Sequence, residues 1–396
     1  MRQVVALTCI GLMSVPRRWG VVMVLILGMA SVSLVSSALM AMAAGYQHAF
    51  AQAADPQRVL LLRSGAQTEN QSNLNRELIP AFLDMPGIAR NPASGKPMAI
   101  AEKVLSVGLP SPDDPDGAYE NIVMRGTSHA ALALRPEVRL LRGRMFDPGK
   151  RELVVGQAVA NRYPEIGFGK EVILDDVPWQ IVGLFDANGA AYESEVWADA
   201  ELAISSYSIT GLYTLIAVRL ESPDTLETLA AAVAADARFE HQLWRERDFY
   251  GVKSDALTRS MRVLGYTVSA IMSLGVLFSA ATVAAVVVQR RTREMGTVRA
   301  LGFQPFASAS AILIELLLLS AVGGLLGVLA AWAVFDGRTL STLAAGLSQL
   351  NFSFRVTAEM AAGATVVSAG LGFIGGLLPS IRGARRPIVE ALAGAS

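Results

Sequence analysis

The sequence is short of the groups that do chemistry. It has one cysteine, Cys9, and three histidines, His48, His129 and His241, in 396 residues. A single thiol excludes an intrachain disulfide. The histidines stand far apart, whereas a metal or nucleophile site needs two or three converging groups. No G-x-x-x-x-G-K-[ST] loop occurs, so the chain cannot by itself be an ATPase of that class. Glu193 and Glu195 lie near Trp197 and Asp199, but a carboxylate pair without a pocket does not make a hydrolase. These absences predict no catalytic residue, no bound cofactor and no metal.

Charge is scarce too. Charged residues make up 17% of the chain, against about 25% in soluble globular proteins. Apolar residues make up 52%, and the mean hydropathy is +0.41. The excess falls in four runs, at 19–47, 263–289, 300–335 and 360–381. Each is long enough to cross a hydrocarbon core of roughly 30 Å. The expected fold class is therefore an α-helical membrane protein of four transmembrane helices. A large extracytoplasmic α+β domain lies between the first and the second.

The net charge is zero, but it is segregated. Segments 1–18, 290–299 and 382–396 hold ten basic residues and two acids. Arginine and lysine near span ends set orientation, so both termini are expected in the cytoplasm. Arg17 and Arg18 precede a run that ends in Ala41, Met42 and Ala43, an A-x-A-like cleavage pattern. That run is longer than the usual apolar region of about 7–15 residues, so a retained span is expected. The resulting domain order is 1–18 an interfacial helix, 19–45 the first span, 46–256 the external domain, and 257–289 the second span with a stalk. Then come 290–305 a cytoplasmic helix, 306–335 the third span, 336–359 an outer loop, 360–381 the fourth span, and 382–396 a tail.

The external domain has no disulfide, and at about 215 residues it is long enough to hold itself by its own core. Strands are expected at 58–65, 103–110, 121–128, 152–155 and 212–220. A strand pair is expected over 170–187, turning at Asp175 and Asp176. Helices are expected from Ser72 or Asn73 to Leu83, at 157–162 and at 222–240. P-S-P-D-D-P-D-G, 110–117, reads as a loop, and a second lobe inserted over 85–150 is one reading of this domain. The second span is expected to begin as a helical stalk near Ser254, and 351–357 as a brief strand.

Two features inside the membrane half stand out. Residues 290–303, R-R-T-R-E-M-G-T-V-R-A-L-G-F, hold Arg290, Arg291, Arg293 and Arg299 against the single acid Glu294. Arg290 and Glu294 suit an i,i+4 pair, and Gly302, Phe303, Gln304 and Pro305 end the element. A short helix fixed between two spans is a lever, since whatever grips it moves both. It reads equally as a topological anchor. The second feature is Glu315, the one acid within the third run. An intramembrane carboxylate is costly and is a candidate functional residue. It reads alternatively as a side chain bonded to a serine in the bundle, or solvated near the interface.

The run R-R-x-x-E-M-G-x-x-R-A-L-G-F resembles the FtsX-like permease domain of ABC transport systems. An early Glu and a G-G-x-x-G group follow it in the third span. The ending P-S-I-R-G-A-R-R-P-I-V-E-A-L resembles the same family, as does the order of helix, span and large external domain. The macrolide-exporter and lipoprotein-releasing permeases are similar. The resemblance implies a permease subunit with no fused ATPase. Its partners would be a separate cytoplasmic ABC ATPase that binds the ATP, a second permease copy and a periplasmic adaptor. No nucleic acid is expected. It implies residence in the bacterial inner membrane and a hydrophobic or lipid-type cargo. It assigns Arg290, Arg293, Glu294, Met295, Gly296, Arg299, Leu301, Gly302 and Phe303 to ATPase coupling, flanked by Arg17, Arg18 and residues 382–386. A regulator of periplasmic enzymes and a sensor with no ATPase are the alternatives.

Overall fold

The computed structural model describes residues 2–53, 55–112, 114–207, 212–292, 296–297, 304–343 and 349–385. Helix α1 spans Arg2–Met13, and a 3-10 turn at Val15–Arg18 leads into α2, Trp19–Ala53. The segment after α2 contributes β1 (Arg58–Arg63), β2 (Leu74–Asn75), α3 (Leu78–Leu83), β3 (Ala99–Ser111) and β4 (Asp114–Thr127). Next come α4 (Ala130–Leu134), β5 (Arg139–Gly143), β6 (Glu152–Gly156), α5 (Gln157–Arg162), β7 (Glu171–Leu174) and β8 (Val177–Asp186). Then follow β9 (Glu195–Asp199), α6 (Ala200–Ser206), β10 (Leu212–Tyr213), β11 (Leu215–Arg219), α7 (Thr225–Ala235) and β12 (His241–Arg245). The chain closes with α8 (Glu246–Arg290), α9 (Pro305–Phe335), the hairpin β13 (Thr339–Leu343) and β14 (Gln349–Ser353), and α10 (Ala358–Ala384). Among the described residues four helices are long and apolar enough to cross a membrane: α2, α8, α9 and α10.

The chain divides into two compact units. The first, 1–44, 259–338 and 354–396, is the helical bundle. Lipid gives helices no hydrophobic reason to associate, so close packing must do it. Leu25 and Met29 of α2 meet Ala280, Ala284 and Val287 of α8 and Ile312 and Leu316 of α9 in one buried cluster. Glycine sets the approach of α9 to its neighbours. A Cβ on Gly327 would sit 2.2 Å from the Ala30 carbonyl oxygen of α2. One on Gly372 of α10 would sit 2.0 Å from Ser320 Oγ of α9.

The second unit is 45–258 with 339–353. Its main sheet runs β12-β1-β11-β3-β4-β9-β6-β8-β5, with β7 added on β8. Two apolar cores flank it. One gathers Leu105, Val107, Ile122, Met124, Trp179 and Val196. The other gathers Val59, Leu61, Phe82, Ile216, Val218 and Leu229. The strands alternate, with period two. Leu105, Met124 and Val196 serve the first core, so Glu102, Arg125, Glu195 and Trp197 must face the other way. The hairpin β13–β14 belongs to this unit. Phe352 is buried and meets the Tyr46 ring edge-on at 5.6 Å. Gly45 makes room for it, because a Cβ there would lie 2.1 Å from the Ser353 carbonyl oxygen.

Several expectations need correction. The expected loop at 110–117 is largely strand: β3 and β4 pair from Lys103↔Gly126 to Ser111↔Asp114, with a register shift between Pro110 and Ser111. A proline in a paired strand is tolerated at such an irregularity. The helix expected from residue 72 or 73 begins only at Leu78. Leu74 instead pairs with Tyr213 and is fully buried, so tertiary pairing overrides a capping signal. The helix expected over 222–240 is Thr225–Ala235, and 241–245, unassigned before, is strand β12. The stalk starts at Glu246, with Glu246 and Asp248 in its first turn, where acids favour a helix N-terminus. The first core draws on residues 105–203 rather than 85–150. Residues 386–396 of the expected tail lie outside the described residues.

The turn between β7 and β8 is as expected, with Asp175 at φ 44° and Asp176 at φ 65°. Left-handed backbone disfavours residues with a Cβ, which makes glycine the better occupant of the second position. Asp175 is needed, since its Oδ1 accepts the Gly108 amide at 3.2 Å. Asp176→Gly is therefore expected to stabilise the protein by about 0.5–1 kcal/mol. Thermal unfolding in detergent checks this; an unchanged or lower midpoint would count against a strained turn.

Candidate functional site

Among the described basic residues at the ends of the spans, Arg17, Arg290, Arg382 and Arg385 are exposed. Arg18 and Arg291 are not. Both turn inward onto Glu315, which is 2% exposed. Arg18 Nη2 donates to Glu315 Oε1 and, at 3.1 Å, to the Gly11 carbonyl. Arg291 Nη1 donates to Glu315 Oε2 at 3.0 Å, and its Nη2 donates to Ser14 Oγ at 2.6 Å. Ser14 Oγ in turn donates to the Gly11 carbonyl at 2.8 Å. Gly11 is the contact point of α1, for a Cβ there would lie 2.4 Å from Glu315 Oε2.

One carboxylate thus holds together four parts of the chain: α1, the turn before α2, the residue after α8, and α9. The geometry replaces both structural readings of Glu315 offered by the sequence. Among the described residues it is buried and bonded to Arg18 and Arg291. The cost of a charge at membrane depth is met by two guanidinium groups. The coupling residues assigned by resemblance fare differently. Arg290 is exposed at the end of α8 and Gly296 is buried. Arg293, Glu294, Met295, Arg299, Leu301, Gly302 and Phe303 lie outside the described residues.

The second unit carries a larger ionic site at the head of α8. Arg58, Arg125 and Arg135 are each at most 1% exposed. Arg125 makes a two-pronged bond to Glu195, both contacts at 2.7 Å, and reaches Glu102 at 2.9 Å and Glu69 at 3.2 Å. Arg135 grips both oxygens of Glu102 at 2.7 Å, and Thr127 Oγ1 donates to the same carboxylate at 2.8 Å. Arg58 pairs with Glu246 and Glu137 and donates to the Leu134 carbonyl at 2.9 Å. Tyr192 donates to Glu246 at 2.7 Å and Tyr250 to Glu69 at 3.0 Å. The Arg135 guanidinium lies 4.8 Å from the centre of the Tyr192 ring, a cation–π distance. Glu246 opens α8 and Tyr250 is its fifth residue. The start of that 45-residue helix is therefore clasped by the sheet through charge.

Burial raises the Glu195 carboxyl above the usual range, and Arg125 only partly offsets this. Burial acts on Glu102 in the same sense, but Arg135 and Arg125 outweigh it and hold that carboxyl below the usual range. Glu193, paired with Glu195 in the sequence reading, does something else. It accepts the amides of Ala187 at 2.8 Å and Gly189 at 2.6 Å and orders a turn. Among the described residues no group of His, Cys, Asp and Glu could hold a metal ion. The network was overlooked in the sequence because its arginines read as surface. The available signal was alternation: Arg125 in N-I-V-M-R-G-T occupies a position facing away from Met124.

Comparisons with known proteins follow the same division. The family described as MacB-like periplasmic core domain matches residues 20–236, and the FtsX-like permease C-terminal family matches residues 266–388. The macrolide export ATP-binding/permease protein MacB of Hahella chejuensis is 26% identical over 236 residues, covering 57% of this chain and 35% of that protein. The pyoverdine export ATP-binding/permease protein PvdT of Pseudomonas entomophila is 27% identical over 258 residues, covering 62% and 38%. The uncharacterized ABC transporter permease YvrN of Bacillus subtilis is 26% identical over 247 residues, covering 56% of each. The chain spans between about a third and about half of the length of these relatives.

Three predictions come from the two ionic sites. Glu315→Gln leaves two arginines facing a neutral amide and should free α1. A spin label on the single, exposed Cys9 reads this directly. Its spectrum should sharpen in the variant, and an unchanged line shape would show that Glu315 does not hold α1. In the outer site, Glu102→Ala should cost about 3–5 kcal/mol, the scale of breaking a buried pair by removing one partner. The pH dependence has two signs. The raised Glu195 contributes stability below its folded pKa, lost as pH rises through it. The lowered Glu102 contributes above its unfolded pKa, and this is lost as pH falls through the folded value. As pH falls toward the ordinary carboxylate range, wild type should gain midpoint relative to Glu195→Gln. Parallel midpoint curves would remove Glu195 from the linkage.

Proposed function

The chain belongs to the family of FtsX-like permeases with a MacB-like periplasmic core domain, and on that premise we propose that it is the membrane subunit of an ATP-driven transport complex. A separate cytoplasmic ATPase binds around residues 290–303 through Arg290, Arg293, Glu294, Met295, Gly296, Arg299, Leu301, Gly302 and Phe303. Hydrolysis there shifts α8 and α9. The complex sits in the bacterial inner membrane, both termini in the cytoplasm, with a second permease copy and a periplasmic adaptor as partners. The cargo is a hydrophobic or lipid-type molecule for export or extrusion.

The observation that carries this reading is the bond set of Glu315. Arg291 is the residue after α8 and lies inside the coupling stretch, and it is tied to α9 and, through Ser14, to α1. A pull on residues 290–303 is thereby shared by three helices. At the far end of α8, 45 residues and about 67 Å away along the helix, Glu246 and Tyr250 deliver displacement to the ionic network. That length also suits a second use, a mechanical relay acting on periplasmic enzymes instead of a cargo.

Co-purification from membranes tests the proposal. Glu294→Lys and Gly302→Trp should leave the protein in the membrane fraction and abolish the co-purifying ATPase activity. Normal ATPase association and transport in both variants would remove the coupling assignment.

A further inference from the structure

The helical unit contains a cavity of about 520 Å³ between α2, α8 and α10 that no coupling step uses. Its depth is informative. It runs along α2 from Val32 to Ala44 and along α8 from Ser273 to Arg262, a rise of about 16–18 Å. That is about half of a hydrocarbon core of roughly 30 Å, the half toward the α2 end that leads into the α+β domain. Ser33 bonds Ser368 at 2.8 Å across the deep end, and Ser36 bonds Ser269 across a side wall. Methionine and valine side chains, Met40, Met360 and Val367 among them, supply the apolar lining. Arg262 and Glu359, both exposed, stand at the mouth.

Ser37 is the residue that asks for a ligand. It lines the cavity, is 2% exposed, and its Oγ has no hydrogen-bond partner among the described residues. A buried hydroxyl without a partner is costly. Ser37 lies seven residues below Ala44 along α2, a rise of about 10 Å, and a glycerolipid drawn into the cavity by its headgroup end brings an acceptor to that level, its ester carbonyl. The mouth completes the match, with one cation for a phosphate and one anion for an ammonium. We propose that this cavity is a binding site for a zwitterionic aminophospholipid of the surrounding membrane. One acyl chain lies between α2 and α10, an ester carbonyl accepts from Ser37, the phosphate faces Arg262, and the ammonium faces Glu359. The site needs no ATPase and stands apart from the coupling proposal.

The full chain in nanodiscs tests it, with phosphatidylethanolamine carrying a photoactivatable group on its acyl chain. Crosslinks should map to residues 33–44 and 359–368. Gly363 lines the cavity, and a Cβ there meets nothing within 4 Å, so Gly363→Trp should fill the space and remove most of the crosslinking. Glu359→Gln, on an exposed side chain, should lower the preference for phosphatidylethanolamine over phosphatidylglycerol by about threefold, the scale of one exposed ion pair. Labelling as strong in Gly363→Trp as in wild type, or no preference between the two lipids in wild type, would reduce the lipid to ordinary annular contact and overturn the proposal.

Discussion

A charge removed from water must be met by another charge, and this fold depends on that in both of its units. In the outer unit, three buried arginines are each matched to carboxylates that come from distant parts of the sequence. In the helical unit, one buried carboxylate is matched to two arginines. Desolvation makes such pairs poor sources of net stability, and severe penalties for any arrangement that separates them. They are better understood as devices of registry. β1, β3, β4, β9 and Arg135, the residue after α4, each contribute a charged side chain to the network, so the sheet cannot shift a strand without stranding a charge. The same holds for the position of Glu246, and hence for the axial setting of α8.

The helical unit adds a second constraint of a different kind. Its helices come together over glycine and serine, with backbone atoms of one helix where a side chain of the next would be. Such surfaces have little room for continuous deformation. They favour motion of whole helices over bending within them, which is the behaviour a lever at residues 290–303 would require. The lock at Glu315 lies where such motions would begin, and its two arginines come from the segments that bracket the first two spans.

Much of this was legible in advance. Four apolar runs and the arginines beside them established the spans. The turn at Asp175 and Asp176, the helix Gln157–Arg162 and the strand opening at Arg58 followed from local pattern alone, because local chemistry dictates them. What could not be read is long-range. Arg18 and Glu315 are 297 positions apart, and nothing in a span's composition tells which arginine turns inward. Arg18 and Arg17 look alike in sequence; one is exposed, the other buried against a carboxylate. Strand β12 was missed because H-Q-L-W-R lacks strong alternation and earns its place by pairing with β1. The loop at 110–117 misled because proline and aspartate are turn formers, yet the β3–β4 pairing extends to Ser111↔Asp114 and takes in Pro110.

The hairpin β13–β14 has a practical consequence for anyone who wishes to isolate the outer unit. That unit is discontinuous: its last fifteen residues, 339–353, come from between the third and fourth spans. A fragment cut as the single segment 45–258 would lose Phe352 from beside Tyr46 and leave the backbone at Gly45 uncovered. An apolar ring and a bare helical notch would then face solvent, a patch well suited to self-association. Grafting residues 339–353 back onto such a fragment by a short linker would return the missing strand pair to the seat it occupies in the whole chain.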